Sequence, residues 1–258
     1  RPQCVVTPLP EQITYKGGYC ACDSSRAVVG EFAKLESRID PSAEGIRAEG
    51  YRLQIDRRKI LLTAIDSAGL FYGKQTLRQL ATAQGIPCVE VLDNPRFAYR
   101  GMHLDVSRHF FPKEQIFKIL DEMAYYKLNK FHFHLCDNGG WRIQIDKYPL
   151  LTKLGSHRME IEWLKWWDFG DKHYVPEDTP GAYGGYYTKE DIRQIVSYAA
   201  GRHIDVIPEI EFPAHSDEVF VGYPEFCCTG RPYTTGEFCV GNPATLRFAE
   251  DVLTEICL

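Results

Sequence analysis

The chain has 258 residues, of which 44% are hydrophobic and 25% are charged. This composition is typical of a folded globular protein and excludes a disordered chain. Its 30 basic and 35 acidic residues give a net charge of −5, which argues against a nucleic-acid-binding surface, because such surfaces are basic. No apolar stretch approaches the roughly 18 residues that a membrane span needs.

The nine cysteines are an odd number and form no C-x-x-C pair, which disfavours a zinc ribbon or a thioredoxin-like site. Most of them are predicted to be small buried hydrophobic residues, and one or two disulfides remain open if the protein is exported. The chain begins with Arg1 rather than with methionine. A removed leader peptide or a start inside a longer gene product would explain this, and we expect an exported protein (periplasmic, cell-surface or secreted) rather than a cytoplasmic one.

The first part of the chain predicts a small α+β domain over residues 1–96. Two strands are expected at 51–55 and 60–65, with a turn at 56–58 between them. A helix is expected at 67–81, and it would cover one face of the strands as a second layer. The segment 93–97 is predicted to be a turn and a linker.

The second part of the chain, residues 97–258, alternates strands with helices. Strands are expected at 99–106, 130–137 and 204–210. Helices are expected at 112–129, from Thr188 onward and from Asn242 onward. Thr188 and Asp191 have the spacing of a capping box, and the buried faces of the last two helices are predicted to contain Ile192, Ile195, Val196 and Ala199, and then Leu246, Ala249, Leu253 and Ile256.

This alternation indicates parallel strands joined by right-handed crossovers. Both a doubly wound sheet and a (β/α)₈ barrel satisfy the pattern. A glycine-rich phosphate-binding turn is absent from the sequence, which disfavours nucleotide binding. In both architectures the functional residues collect at the carboxyl ends of the strands.

Acidic residues and histidines follow each of the three predicted strands. They are Asp105 and 107–109 after the first, 137–141 after the second, and Glu209, Glu211 and His215 after the third. Such groups favour acid–base chemistry on a polar substrate. All four tryptophans lie in the long loop 138–187, where they would either contact sugar rings or form a small core for the loop.

Several long motifs resemble glycoside hydrolase family 20, in that family's order. They are "NPRFAYRGMHLDVSRHFF", "YKLNKFHFHLCDNGGWRIQIDKYPLLTKLGSHR", "GGYYTKEDIRQIVSYAAGRHIDVIPEIEFPAH" and "FCVGNPATLRF". The earlier segments "EGYRLQI" and "AGLFYGKQTLRQL" resemble the family's small non-catalytic domain. The resemblance covers nearly the whole chain. It implies an α+β N-terminal domain followed by an incomplete α/β TIM barrel, of which residues 97–258 would supply the first three β/α units.

The resemblance also implies a β-N-acetylhexosaminidase, which removes terminal N-acetylhexosamine from the non-reducing end of a glycan. In this family the 2-acetamido oxygen of the sugar attacks the anomeric carbon, and the anomeric configuration is retained. An Asp–Glu pair in a His-x-Gly-Gly-Asp-Glu motif assists, and no metal or organic cofactor is needed. This motif is absent from the 258 residues, so we expect it beyond residue 258 and expect the chain alone to be inactive.

Three residues match site positions of the family by resemblance. Arg100 resembles an arginine that binds hydroxyls of the terminal sugar, although it comes at the start of its predicted strand. Asp137 and His215 resemble a pair that supports the catalytic glutamate. The sequence departs from the family pattern at Asn138, which replaces an aspartate, and at Ala214, which replaces a glycine. These departures bear on substrate preference.

Other interpretations remain open at this point. His132 and His134 could form a metal-binding pair of a metal-dependent barrel hydrolase, but strand alternation places Asp137 on the opposite face. A non-catalytic sugar-binding member of the family is a second alternative. We expect supporting roles for Glu209 and Glu211, structural roles for His103 and His109, and an ion pair between Asp105 and Arg108. The glycosidic linkage, the gluco or galacto preference and the oligomeric state are left undetermined.

Overall fold

A computed structural model describes residues 6–21, 31–32 and 34–257. The chain divides into two compact units. Unit 1 comprises 1–101, 119–130 and 201–204, and unit 2 comprises 102–118, 131–200 and 205–258. The predicted division between residues 96 and 97 stays a prediction. Among the described residues, no helix combines the length and the apolar character needed to cross a membrane.

Unit 1 contains a five-stranded sheet. Its strands are β1 (Gln12–Cys20), β2 (Leu35–Ile39), β3 (Tyr51–Ile55), β4 (Ile60–Ala64) and β5 (Ile86–Asp93), in the spatial order β1-β5-β3-β4-β2. The neighbouring strands pair antiparallel except β2 and β4, which are parallel.

The β3–β4 hairpin confirms the two strands and the turn predicted from the sequence. Tyr51, Leu53 and Ile55 are buried in alternation with more exposed neighbours, as expected of a strand with one covered face. The Asp56 carboxylate closes the turn, because it accepts hydrogen bonds from the backbone N–H groups of Arg58 and Lys59 at 2.7 and 2.9 Å.

Helix α1 (Ser67–Leu80) follows the hairpin and confirms the predicted helix to within one residue. It begins at Asp66, whose side chain accepts a hydrogen bond from Gly69 N at 2.7 Å, and such a cap satisfies a free N–H of the first turn. Side chains of α1 share one buried core with those of β3, β4 and β5. The strands β1, β2 and β5 were not predicted: β1 and β2 are mostly exposed and lack apolar alternation, and β5 contains Pro87.

Unit 2 contains a three-stranded sheet in the order β10-β7-β6. Its strands are β6 (Gly101–Asp105), β7 (Lys130–His134) and β10 (Asp205–Glu209). The strand ends meet one another, because Val106 N donates to His134 O at 3.2 Å and Leu135 N donates to Glu209 O at 3.1 Å. The three strands were all predicted; they begin zero to two residues later and end one to three residues earlier than expected.

Three longer helices alternate with these strands, as predicted. They are α2 (Lys113–Tyr125), α4 (Lys189–Ala200) and α6 (Pro243–Cys257). The capping box of α4 is confirmed: Thr188 N donates to the Asp191 carboxylate at 3.0 Å, and Asp191 N donates to the Thr188 hydroxyl at 3.1 Å.

The predicted buried faces were partly wrong. In α4, Ile195 and Ala199 are buried, but Val196 is 44% exposed. In α6 the buried residues are Thr245, Phe248 and Val252, whereas Leu246 and Leu253 are more than half exposed. The face of α6 that contains Phe248 is buried, because the Phe248 ring packs in an aromatic cluster with Tyr148, Phe226 and Phe238.

Shorter elements occupy the connections in unit 2. The loop 138–187 contains α3 (Leu150–Gly155), the two-residue strands β8 (His157–Arg158) and β9 (Tyr183–Gly184), and a π-helical turn (Lys165–Phe169). Helix α5 (Asp217–Phe220) and a 3₁₀ turn (Pro224–Phe226) lie between β10 and α6. Four of the seven cysteines within the described residues are buried, as predicted for most of them; Cys4 and Cys22 lie outside the described residues.

Candidate functional site

The candidate site is formed where β6, β7 and β10 end. Backbone hydrogen bonds hold these three ends side by side, so the residues that follow them meet at one edge of the sheet. The sequence predicted such a meeting, because functional groups collect at the carboxyl ends of parallel strands.

Asp137 is the central group of this site. Its carboxylate is 3% exposed. Oδ1 accepts hydrogen bonds from the Arg108 guanidinium and from Asn138 N, each at 2.7 Å. Oδ2 lies 3.2 Å from His134 Nε2 and 3.5 Å from His215 Nδ1. A buried carboxylate surrounded by an arginine and two histidines is typical of a functional site.

The structure brings Asp137 and His215 together, as the sequence predicted. The His215 side chain is 58% exposed and also lies 3.9 Å from the Glu211 carboxylate, so it faces outward from the cluster while Asp137 lies beneath it. The backbone at this turn has a positive φ of 52° at His215 and not at Ala214. The alanine that replaces the family's glycine is therefore not in the left-handed conformation that glycine favours.

A second carboxylate–imidazole arrangement lies behind Asp137. His134 Nδ1 donates to the Glu209 carboxylate at 2.5 Å, and His132 Nε2 donates to the same oxygen at 2.7 Å. Burial lowers the pKa of His134, but hydrogen bonds to Asp137 and Glu209 outweigh burial, and the pKa is raised overall. Burial in turn raises the pKa of Glu209, and its bonds to the two histidines lower it overall.

The third predicted site residue, Arg100, belongs to unit 1. Its guanidinium donates to the Glu49 carboxylate at 2.5 Å, to Lys127 O at 2.8 Å and to Phe97 O at 2.9 Å. It also lies 5.3 Å from the centre of the Tyr72 ring. Arg100 is thus held by partners of its own unit and does not join the Asp137 cluster.

Arg108 is the arginine that contacts Asp137, and the sequence analysis did not assign it a role in the site. The predicted ion pair with Asp105 is confirmed at 2.8 Å, and the same guanidinium also contacts Asp137. Arg108 follows the carboxyl end of β6, whereas Arg100 precedes the strand, so the strand-end rule could have selected it.

Gly139 allows the chain after β7 to pass close to Arg108. A Cβ atom at residue 139 would lie 2.5 Å from Ser107 O and 2.6 Å from Arg108 N. Any larger residue would push the two strand-end loops apart, so Gly139 sets the distance between Arg108 and the Asp137 segment.

Two buried arginines organise the loops around the site. Arg142 is fully buried, and its guanidinium donates to the backbone carbonyls of Val106, Ser107 and Gly139 at 3.1, 2.6 and 2.9 Å. Burial and the nearby Arg158 lower the pKa of Arg142 to about 10. Arg158 donates to Gly139 O and to Arg108 O, each at 2.7 Å. No local sequence pattern marks either arginine, because several of the carbonyl groups that they bind, such as Val106 O for Arg142 and Arg108 O for Arg158, are distant in the chain.

The loop tryptophans form a small core, and one of them also borders the site. The Trp163 and Trp167 rings stack with centres 5.1 Å apart, and Trp166 is buried against Tyr174. Trp163 is partly exposed and lies 5.7 Å from the Arg108 guanidinium. The two functions considered for these aromatic residues are therefore compatible.

Two groups of side chains at these strand ends have metal-binding atoms within 4.8 Å of one another: His103, His132 and Glu209, and His134, Asp137 and Glu211. The alternation argument against Asp137 was wrong, because β7 ends at His134 and the chain then turns, which brings Asp137 beside that histidine. In the first group, the hydrogen bond of 2.7 Å between His132 Nε2 and Glu209 Oε2 already uses atoms that could bind a metal.

Comparison with known proteins gives a consistent result. Residues 97–258 match the model of the glycosyl hydrolase family 20 catalytic domain, and residues 33–94 match that family's domain 2. A "Beta-hexosaminidase" of Porphyromonas gingivalis is 39% identical over 91% of this chain and 32% of that protein. A "Beta-hexosaminidase" of Akkermansia muciniphila is 37% identical over 82% of this chain and 41% of that protein. This chain therefore spans less than half the length of these curated relatives.

A solved structure shows the same similarity. The family 20 exo-β-N-acetylglucosaminidase of Vibrio harveyi, in complex with N-acetylglucosamine, superposes with a TM-score of 0.78 at 28% identity. The match covers 98% of this chain and 44% of that one.

Proposed function

Because the chain belongs to glycosyl hydrolase family 20, we propose that the protein containing it removes terminal, non-reducing N-acetylhexosamine from glycans. The reaction would be substrate-assisted and would retain the anomeric configuration. The sugar's acetamido oxygen would attack the anomeric carbon, an aspartate would stabilise the positive charge that develops on the acetamido group, and the neighbouring glutamate would protonate the leaving oxygen. Neither a metal nor an organic cofactor takes part in this scheme.

One observation supports this proposal most strongly: the buried Asp137 carboxylate lies 3.5 Å from the exposed His215 ring. A carboxylate orients an imidazole by accepting a hydrogen bond from one ring nitrogen, which fixes the tautomer and the direction of the other nitrogen. His215 would in this way present Nε2 to a catalytic glutamate and hold that group in place. The catalytic Asp–Glu pair is proposed to lie beyond residue 258, in further β/α units that complete the barrel.

We assign sugar binding to Arg108. Arg108 reaches the strand-end site, where its side chain is 29% exposed and contacts Asp137, and the donors that its two carboxylate contacts leave over suit a sugar hydroxyl. The role predicted for Arg100 stays a prediction, since its guanidinium is already bound by Glu49 and by two backbone carbonyls.

The substrate is proposed to be a glycan or glycoconjugate outside the cytoplasm, and the protein to be periplasmic, surface-attached or secreted. Fractionation of the native cells with an antibody against the chain tests this location. Recovery in the cytoplasmic fraction alone would contradict it.

The test of the function is release of p-nitrophenol from the aryl β-N-acetylglucosaminide and β-N-acetylgalactosaminide by the complete gene product. We expect turnover of one or both, and no turnover of the aryl β-glucoside, which lacks the acetamido group. The 258-residue chain alone is expected to be inactive. Turnover of the glucoside at the same rate would contradict the substrate-assisted mechanism.

A non-catalytic sugar-binding protein is the alternative from another functional class. It predicts that the folded gene product binds N-acetylglucosamine in calorimetry and releases no aryl leaving group. A metal-dependent hydrolase is disfavoured by the family assignment, and a chelator that abolished turnover would revive it.

A further inference from the structure

His134 and Glu209 lie behind Asp137 and have no part in the reaction described above. They form a chain of short contacts with it: Glu209 accepts from His134 Nδ1 at 2.5 Å, and His134 Nε2 lies 3.2 Å from Asp137 Oδ2. The His134 side chain is 6% exposed, so it makes these contacts away from bulk water. Glu209 is the last residue of β10, and His134 is the last of β7.

Whether His134 can donate a hydrogen bond to Asp137 depends on which ring nitrogen carries a proton. A neutral imidazole has one N–H, and a donor at Nδ1 leaves a lone pair at Nε2. That lone pair would repel the Asp137 carboxylate and would accept instead from Arg108, whose Nη1 lies 3.3 Å away. A protonated ring donates from both nitrogens, so it binds Glu209 and Asp137 at once.

The groups around the ring favour the protonated form. Carboxylates approach it from two sides, and the pKa of His134 is raised by its bonds to Glu209 and Asp137 even though burial opposes this. The titratable and charged groups that face this cluster from the neighbouring elements are His103, Asp105, Arg108, His132, Glu211 and His215.

We propose that Glu209 is a positioning residue that acts through His134: it holds the imidazole so that Nε2–H binds Asp137, and this fixes the carboxylate on which His215 depends. Glu209 would not touch the substrate. The inference rests on the proposed function, because it concerns the same site, and it extends the Asp137–His215 pair to a four-membered series from Glu209 to His215.

Glu209→Leu and Glu209→Gln in the complete gene product test this series. Leucine removes both the charge and the acceptor. Glutamine keeps a polar group that can donate to Nδ1 while a neutral His134 donates from Nε2 to Asp137, so it removes the charge alone. The matched control is Glu122→Gln, because Glu122 is an exposed helical carboxylate.

We expect Glu209→Leu to lower kcat about 10- to 100-fold, as is usual when a group that orients a functional ligand is lost, with KM changed less than about 2-fold because no sugar contact is removed. Glu209→Gln should lose less in kcat. It should also extend the alkaline limb of the kcat–pH profile to higher pH, because a neutral His134 in this variant still donates from Nε2 to Asp137. Glu122→Gln should match the wild type in both measurements.

A double-variant cycle with His134→Asn decides whether Glu209 acts through His134. We expect the double variant Glu209→Leu/His134→Asn to be no less active than His134→Asn alone, because the two residues form one series. Fully additive losses would overturn the proposal. So would a Glu209→Gln enzyme with the wild-type kcat and pH profile, and this outcome remains decisive if the leucine variant does not fold.

The two hypotheses fail in different ways. A wild-type gene product that releases no sugar contradicts the proposed function. An active wild type whose Glu209 variants keep its kcat contradicts the positioning role alone.

Discussion

The two units each contain a cluster of charged side chains, and the clusters differ in how their charges are used. In unit 1, Arg100 pairs with Glu49, and Lys127 pairs with Asp93 at 3.1 Å. Lys127 also donates to the Tyr51 hydroxyl at 3.0 Å, and that hydroxyl in turn contacts Asp93. Each of these charges thus meets an opposite charge, with further hydrogen bonds around the pair. Residues of both pairs line a cavity of about 600 Å³ in this unit.

In unit 2, the side chains at the strand ends do not form separate pairs, because several of them share the same partners. Asp137 contacts two histidines and an arginine, Glu209 accepts hydrogen bonds from two imidazoles, and His215 remains more than half exposed. These groups keep capacity to bind a substrate or transfer a proton. A cluster of charges therefore does not by itself identify a site, whereas side chains that are exposed and share several partners do.

The first prediction tests whether the charged cluster of unit 1 is structural. Lys127→Met should lower the free energy of unfolding by about 3 kcal/mol, because it leaves the Asp93 carboxylate, which is only 16% exposed, without its cation. Urea denaturation of the complete protein measures this loss.

The double variant Lys127→Met/Asp93→Leu should recover most of the stability, since a buried pair replaced by apolar groups costs little. Lys16→Gln, at the exposed Lys16–Glu90 pair, should cost less than about 1 kcal/mol. A small loss for Lys127→Met would mean that the unit 1 charges are not paired as described, and the contrast between the clusters would fail.

The second prediction compares the two arginines. Arg108→Gln should lower kcat/KM about 100-fold, because it removes charge-assisted hydrogen bonds of about 1.5–3 kcal/mol. Arg100→Gln should lower kcat/KM at least 10 times less and should act mainly on the melting temperature. Steady-state kinetics with the aryl N-acetylglucosaminide decides between them. The reverse order would restore the sugar-binding role predicted for Arg100.

The third prediction concerns Glu218, a fully buried carboxyl of α5 close to the site. Neither of its oxygens has a hydrogen-bond partner within the described part of the chain. Burial, and then the negative charges of Asp137 and Asp217, raise its pKa well above the ordinary 4.5. At a pH above 4.5 and below the raised pKa, Glu218 keeps its proton in the folded protein but has lost it in the unfolded chain. The free energy of unfolding therefore falls as the pH rises through this range.

Glu218→Gln removes this pH dependence and keeps the shape. We expect a stabilisation of about 1 kcal/mol or more at pH 8 that disappears near pH 4, measured as the difference in melting temperature from the wild type. Glu122→Gln should change neither value. Equal stability of Glu218→Gln and the wild type at both pH values would show that the carboxyl has a partner in the complete protein.

How well the sequence predicted the structure depended on the range of the interactions. The β3–β4 hairpin, α1 and the capping box were predicted correctly, because alternation, a turn aspartate and a cap act over a few residues. The strands β1, β2 and β5 were missed, since their positions depend on pairing across the sheet. Val196, Leu246 and Leu253 were wrongly predicted to be buried because they are apolar. The sequence does not show which apolar face of α4 or α6 packs against the rest of the protein.

The candidate site was predicted in the same uneven way. The strand-end rule brought Asp137 and His215 together, and the family resemblance named them. The resemblance also favoured Arg100. The sequence alone does not reveal that Glu49 and Lys127 O, which are distant in the chain, bind the Arg100 guanidinium. Arg142 binds carbonyls up to 43 positions away, so no local pattern could reveal that it holds the site loops.

The smallest expected effect uses an element outside both clusters. Thr188→Ala should lower the free energy of unfolding by about 1 kcal/mol, because the first turn of α4 loses a side-chain cap, while Asp191 keeps its ion pair with Lys113 at 2.5 Å. Ser197→Ala, at an exposed position inside the same helix, should cost nothing, since alanine favours helix. Melting temperatures of the two variants measure the difference. A loss of unfolding free energy as large as that of Lys127→Met would contradict the comparison. It would show that an exposed, local interaction can stabilise this protein as strongly as the Lys127–Asp93 ion pair. Burial would then no longer explain why the charges of unit 1 are structural.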